Sequence, residues 1–264
     1  MTRIIAVTNQ KGGVGKTTTV VNVAASMAAL EQRTLLVDLD PQGNATTGSG
    51  IDKGALTQSV YHVLLQQATI HQVRTRSTTG HFDVLPANRE LAGAEVELVD
   101  AERREYRLRE ALDAVKQDYD VILIDCPPAL NMLTINGLTS CWRVIIPMQC
   151  EYYALEGLSD LVQTIRRVRG HLNPNLEIEG LLRTMVDPRN ALSQQVSSQL
   201  EKYFGDKVYK TAIPRNIRLA EAPSHGQPAL QYDPSSKGAQ SYFQLTKEML
   251  DRFRQPVVTA ASQE

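Results

Sequence analysis

The stretch "RIIAVTNQKGGVGKTTTVVNVAASMAAL", residues 3–30, decides how the rest of the chain is read. It opens with a short β-branched apolar run, passes through a turn holding Gly12, Gly13 and Gly15, and continues as a helix-length segment beginning at Gly15-Lys16-Thr17. Glycines in such a turn permit left-handed backbone angles and close approach of a ligand, while amides at a helix start face outward as anion donors. Lys16 is placed to neutralise β- and γ-phosphates, and the Thr17 hydroxyl to ligate Mg²⁺. A second lysine, Lys11, stands five residues earlier, and one phosphate-binding lysine leaves it unexplained.

Outward from this loop, short runs with strand character recur at residues 33–40, 82–87, 120–128, 142–148, 176–186 and 207–214, separated by helix-length segments. Runs apolar on both faces, alternating with helices, predict a single-domain, mostly parallel twisted sheet with helices on both faces. Residues 101–118, "AERREYRLREALDAVKQD", read as one charged amphipathic helix, and residues 236–254 as a final helix with Tyr242, Leu245, Met249 and Phe253 at helical spacing. We expect one domain over residues 1–254 and a frayed, flexible tail over 255–264. No internal repeat, apolar membrane-length run or leader pattern is read in the sequence.

The 264 residues carry a net charge of −1, which excludes a general polycation. Residues 1–159 hold 14 Lys and Arg against 18 Asp and Glu, and residues 160–264 hold 14 against 11, an asymmetry compatible with a local anion-binding face in the second part. The cysteines, Cys126, Cys141 and Cys150, lack CxxC spacing and read as small buried side chains. Tyr152 and Tyr153 read as packed corner tyrosines. The basic cluster Arg166, Arg167 and Arg169 reads as a complement to a helix C-terminus.

Acidic candidates sit where such a sheet would need them. Asp125 ends the apolar run "VILID", a position suited to holding Mg²⁺, directly or through water. Asp38 and Asp40 lie in "VDLDPQGNAT", at the carboxyl edge of the second strand.

The loop departs from the ordinary G-x-x-x-x-G-K-[ST] pattern, because Gln10 stands where glycine is required and Lys11 follows. With that departure, "KGGVGKT" resembles the deviant Walker A motif of the P-loop NTPases that include ParA partition ATPases, MinD, the arsenite-pump ATPase and the nitrogenase iron protein. "DLDPQGNATTGSGI", "ELAGAEVEL", "DCPPALNMLTINGL", "PMQCEYYALEGLSDL" and "IPRNIRLAEAPSHGQPALQYDPSSKGAQSY" narrow the resemblance, which extends from Thr2 to about Phe253, to the short chromosomal ParA proteins, also called Soj.

That resemblance implies a cycle. ATP and Mg²⁺ bind at Lys11, Gly12, Gly13, Val14, Gly15, Lys16, Thr17 and Thr18, with Thr17, Asp125 and more weakly Asp38 on the metal side. Lys11, Lys16 and Asp40 are the catalytic residues: Lys11 reaches phosphate across a face-to-face homodimer, and Asp40 orients the attacking water. Pro214 and Asn216, in "PRN", contact the base. The segments "PQGNAT" and "CPPAL" act as switches that sense the γ-phosphate. The ATP dimer binds double-stranded DNA without sequence preference, with Arg189 and Arg218 on the contacting face, and a ParB centromere-binding partner stimulates slow hydrolysis to ADP. The expected setting is the cytoplasm, on the nucleoid. No N-terminal DNA-reading extension and no membrane association are expected. The rival is a MinD-like membrane-associated positioning ATPase, which would need a basic amphipathic C-terminal helix. The final helix here is mixed in charge.

Overall fold

The computed structural model describes residues 2–151 and 154–254. Seven strands form one sheet: β1 Arg3–Val7, β2 Thr34–Asp38, β3 Thr75–Arg76, β4 Asp83–Leu85, β5 Val121–Asp125, β6 Arg143–Gln149 and β7 Glu177–Thr184. Their spatial order is β3-β4-β2-β5-β1-β6-β7, and every pairing is parallel except β3 with β4.

Period-two alternation splits each central strand between two cores. Ile4, Ala6, Leu35, Val37, Ile122 and Ile124 point to one face. Ile5, Val7, Leu36, Val121 and Leu123 point to the other, under the helices Lys16–Ala29 and Lys237–Arg254. Both faces are therefore covered, which is why these strands read as continuous apolar runs. All parallel strands deliver their carboxyl ends to one edge, and β1 runs between β5 and β6. The loops after β1, β2, β5, β6 and β7 converge there, as ligand-binding loops do in sheets of this kind.

The last helix is docked by its apolar face: Tyr242, Leu245 and Met249 are buried, and Thr19 Oγ1 and Tyr242 Oη share a 3.1 Å hydrogen bond. Arg3 fastens its end, donating to the Phe253 carbonyl at 2.6 Å with its guanidinium 4.7 Å from the Phe253 ring centre. The three cysteines are free and buried, and burial pushes the Cys126 thiol well up and the Cys141 thiol to about 12.

Two expectations are corrected. Residues 207–214 form no strand, only single bridges from Val208 to Leu181 and from Pro214 to Val186. The reason is competition: the amides of Lys210 and Thr211 donate to the Glu248 carboxylate at 2.8 and 2.9 Å, and Pro214 has no amide to give. The seventh strand is instead the two-residue β3, exposed and carrying no apolar signal. Residues 101–118 are not one helix but a 3₁₀ turn Arg104–Tyr106, a helix Arg107–Asp113 and a second 3₁₀ turn Lys116–Asp118. Arg103 sits at φ 53°, and Asn136 clamps the start of the segment by accepting from the Leu108 amide at 3.1 Å while donating to the Arg104 carbonyl at 2.8 Å. Tyr152, Tyr153 and the segment 255–264 lie outside the described residues.

Candidate nucleotide site

The glycine loop leaves β1 and enters the helix Lys16–Ala29 through two left-handed residues, Gly13 at φ 74° and Gly15 at φ 88°. A Cβ on Gly12 or Gly13 would meet nothing within 4 Å, so the space over this turn is open. Among the described residues, the amides of residues 12–17 donate to no protein acceptor, whereas Lys11 N is taken by Asn9 Oδ1 at 3.0 Å. A run of free amides at a helix start is an anion cradle.

The two lysines are placed differently. Lys16 is 7% exposed and curls back over the loop, donating from Nζ to the Lys11 carbonyl at 3.2 Å. Burial pulls its pKa below the usual lysine value, against the opposing pull of Asp125 and Asp40. Lys11 points away from the loop and pairs with Glu151 Oε2 at 2.6 Å, both side chains about half exposed (49% and 52%).

Asp125 and Asp38 are register partners at the ends of β5 and β2, and both are buried. Thr17 Oγ1 donates to Asp125 Oδ2 at 2.7 Å, while Asp125 Oδ1 is buried without a partner. Burial first, and then the Asp38 charge, pushes the Asp125 carboxyl well above the usual carboxylate range. Asp38 is pushed up to about 6 by burial, despite accepting from the Thr46 amide and hydroxyl, both at 2.8 Å, and from the Asp40 amide at 3.1 Å. The Thr46 hydroxyl in turn accepts from the Ala87 amide at 2.9 Å. Asp38 thus anchors the loop after β2, leaving Asp125 as the carboxylate with an open position.

That open oxygen is the test of whether magnesium fits. Among the described residues no group of three or more His, Cys, Asp or Glu could hold a metal. Mg²⁺ on a nucleotide needs only one or two carboxylates, with phosphate and water oxygens completing the shell. The Thr17 hydroxyl beside an orphaned Asp125 oxygen satisfies that requirement.

Asp40 begins the next turn: its Oδ1 accepts from the Gln42 amide at 2.9 Å and its carbonyl from the Gly43 amide at 2.8 Å. Its second carboxylate oxygen accepts from no protein donor among the described residues. Asn216 caps the helix Ile217–Glu221, accepting from the Arg218 amide at 3.0 Å, and Pro214 bridges to Val186 at the exit of β7. Arg189 is 88% exposed and is gripped by Asp187 through two bonds of 3.0 and 2.8 Å. Arg218 pairs with Glu221 at 2.8 Å and Asp233 at 3.2 Å. Both arginines are on the surface, and both are engaged by carboxylates of their own chain. Arg166, Arg167 and Arg169 are exposed on the helix Ala154–His171.

Sequence reasoning missed three contacting residues, Asn9, Glu151 and Thr184, whose hydroxyl donates to the Val14 carbonyl at 2.8 Å, and placed Thr46 only within a switch segment. Glu151 and Thr184 are more than 130 residues from the loop they touch, and no spacing in the chain announces them. A separate groove of about 630 Å³ at the opposite edge holds Arg33, Arg74 and Arg76, each paired with an aspartate, and is an ion-pair network.

Comparison with known proteins gives a consistent picture. A family model described as an AAA domain matches residues 2–178. The sporulation initiation inhibitor protein Soj of Bacillus subtilis is 58% identical over 249 residues, spanning 94% of this chain and 98% of that protein. The chromosome partitioning protein ParA of Caulobacter vibrioides is 48% identical over 261 residues, 98% of each. Among solved structures, a Mycobacterium smegmatis protein titled cobyrinic acid a,c-diamide synthase, with bound ADP and magnesium, superposes with a TM-score of 0.84 at 39% identity over 96% of each chain. The septum site-determining protein MinD of Pyrococcus horikoshii, complexed with Mg-ADP, gives 0.76 at 25% identity over 94% of this chain and 96% of that one.

Proposed function

The chain belongs to the ParA/Soj family of chromosome-partitioning ATPases, and from that premise we propose that it is a dimer switch in which ATP licenses binding to non-specific DNA. It hydrolyses ATP to ADP and phosphate, with magnesium as the metal.

The observation that carries the proposal is the division of labour between the lysines. Lys16 is buried in the loop beside Asp125, whereas Lys11 is half exposed and, among the described residues, held only by Glu151. An exposed ion pair of that kind is worth about 0–1 kcal/mol, so a phosphate group presented by a second subunit can displace it. Lys11 then reports ATP to the partner subunit, and Lys16 keeps its own nucleotide.

The free amides of the glycine loop and Lys16 receive the β- and γ-phosphates. Thr17 and Asp125 would hold Mg²⁺, which would supply neutralisation of charge developing on the phosphate oxygens. Asp40, fixed by its own turn, offers its unengaged oxygen to orient the attacking water. The Asp38–Thr46–Ala87 bonds fix the loop after β2 close to where the γ-phosphate would arrive. Pro214 and Asn216 flank the base. Dimerisation doubles the surface carrying Arg189 and Arg218, which lets a nearly neutral subunit hold a polyanion only as a pair. Non-specific contact of this sort has a Kd of about 10⁻⁴–10⁻⁶ M and weakens with salt. A ParB-type partner that accelerates hydrolysis would release the dimer, positioning chromosome origins in a cytoplasmic, nucleoid-associated cycle.

Sedimentation with and without Mg–ATP tests the switch. Wild type and Asp40→Ala should dimerise with Mg–ATP, and Lys11→Ala should bind ATP yet remain monomeric. A Lys11→Ala dimer of wild-type affinity would remove the basis of the proposal.

A further inference from the structure

Resting on the nucleotide-site reading above, we infer that Thr184 is a positioning residue that aims the glycine loop at phosphate and joins it to the base-side segment. Thr184 ends β7, is 2% exposed, and donates from Oγ1 to the Val14 carbonyl at 2.8 Å. Its methyl stands 3.7 Å from where a Cβ on Gly15 would lie, so one side chain bonds Val14 and faces the next loop residue.

The peptide between Val14 and Gly15 is trans, as are the others described. In a trans peptide the carbonyl and the amide point in opposite directions. Drawing the Val14 carbonyl toward Thr184 therefore turns the Gly15 amide away from β7, to the side open for an anion. Gly15, at φ 88°, gives this peptide a freedom that a residue with a side chain would lack. The hydroxyl supplies a restraint that the glycines cannot.

Beyond Thr184 the chain passes straight to the base side. Met185 takes φ 52° and receives a contact from Gln149 Nε2 on its sulfur at 2.6 Å. The Val186 amide then donates to the Ile213 carbonyl at 3.0 Å, and the Arg215 amide to the Val186 carbonyl at 3.3 Å. The loop that would take the phosphates and the segment carrying Pro214 and Asn216 are thereby tied to the same three residues of one strand end.

The experiment compares Thr184→Val, which keeps the shape and removes the donor, with Thr184→Ser, which keeps the donor. For each full-length variant three quantities are measured: Kd for Mg–ATP by equilibrium titration, kcat at saturating ATP, and the ATP concentration giving half-maximal DNA binding. The Val variant should raise Kd about tenfold, equivalent to about 1.4 kcal/mol. Its kcat should stay within about twofold, while the half-maximal ATP concentration moves by the same factor as Kd, because a misaimed loop must be re-aimed on binding and is then restored. Ser should match wild type in all three.

A residue that only supports the fold would lower the melting temperature of the nucleotide-free protein and leave the split between Kd and kcat unmoved. Unchanged Kd in the Val variant, or equal loss in Ser and Val, overturns the inference. Should the Val protein fail to fold, Thr184→Ala against Thr184→Ser decides by the same criterion, Ala losing affinity and Ser keeping it. Wild type that binds no Mg–ATP would defeat the nucleotide-site reading itself, an outcome distinct from a normal wild type with an unaffected variant.

Discussion

Replacing Asp125 by asparagine should stabilise the nucleotide-free protein while removing its response to magnesium. Asp125 and Asp38 are buried neighbours, with Lys16 the cation pulled on by Asp125. Both carboxyls are raised, Asp38 to about 6. A carboxyl whose folded pKa exceeds its unfolded value binds more protons when folded, so its contribution to stability falls as pH rises from about 4 through the folded pKa. For Asp38 the difference is roughly two units, or about 3 kcal/mol at 1.36 kcal/mol per unit. Asp125 is shifted in the same direction, partly by the Asp38 charge. Asparagine removes the cost of burying the Asp125 charge, leaves the Asp38 shift, which burial and Asp40 cause, in place, and is offset by an unpaired amide where Oδ1 stood and by the lost attraction to Lys16. We expect a net gain of about 1–2 kcal/mol at pH 7, a range common for relieving functional-site strain. For a chain of this size that raises the melting temperature by about 2–8 °C. The gain should shrink toward pH 4, where the wild-type carboxyls are protonated. Added Mg–ATP at 100 times its Kd should stabilise wild type by about 2.7 kcal/mol, and the variant should lack the magnesium-dependent part. Scanning calorimetry at several pH values, with and without Mg–ATP, reads both effects. A nucleotide-free variant that melts below wild type at pH 7, or one that keeps the magnesium shift, would refute this electrostatic account.

Other consequences are sharper in sign than in size. Lys16→Ala should lose Mg–ATP affinity by at least about tenfold, since it removes a charge-assisted contact worth about 1.5–3 kcal/mol; equilibrium titration with retained wild-type affinity would count against the cradle. Glu151→Gln should lower the ATP concentration needed for dimerisation, by up to about fivefold, because an exposed pair holding Lys11 is worth about 1 kcal/mol at most; sedimentation showing weaker dimerisation would mean that Glu151 helps the dimer instead. Asp187→Asn frees Arg189 and should tighten DNA binding in the ATP state, again by up to about fivefold. Unchanged or weaker binding would remove Arg189 from the contacting face.

The alternation of β-branched runs with helices was enough to call the sheet, because strands buried on both faces leave a plain apolar record. Two errors share a cause. The segment 207–214 has strand composition, but Glu248, remote in sequence, captures the Lys210 and Thr211 amides, so β7 takes only those of Tyr209 and Ile213 and no continuous ladder forms. The segment 101–118 has helical periodicity, but the Asn136 side chain breaks it. A side chain arriving from elsewhere overrode local preference in each case, and β3 is too short and exposed to leave any pattern. At the site, the placement of the glycine loop after β1 and of Asp125 at the end of β5 was legible, because each adjoins an apolar strand in sequence. The state of each group was not. That Lys11 rests on Glu151, that Asp38 is consumed by Thr46, and that Arg189 and Arg218 sit in carboxylate grips depend on contacts no linear spacing encodes.

The central claim is that ATP turns a nearly neutral chain into a DNA-binding pair, and binding to non-specific duplex DNA measures it directly. Wild type and Asp40→Ala would be compared without nucleotide, with ADP and with Mg–ATP, each at two salt concentrations. The account predicts binding only with Mg–ATP, persistent in Asp40→Ala as hydrolysis stalls, and lost progressively as salt rises. Equal binding in all nucleotide states, or none in any state despite tight ATP binding, would contradict it.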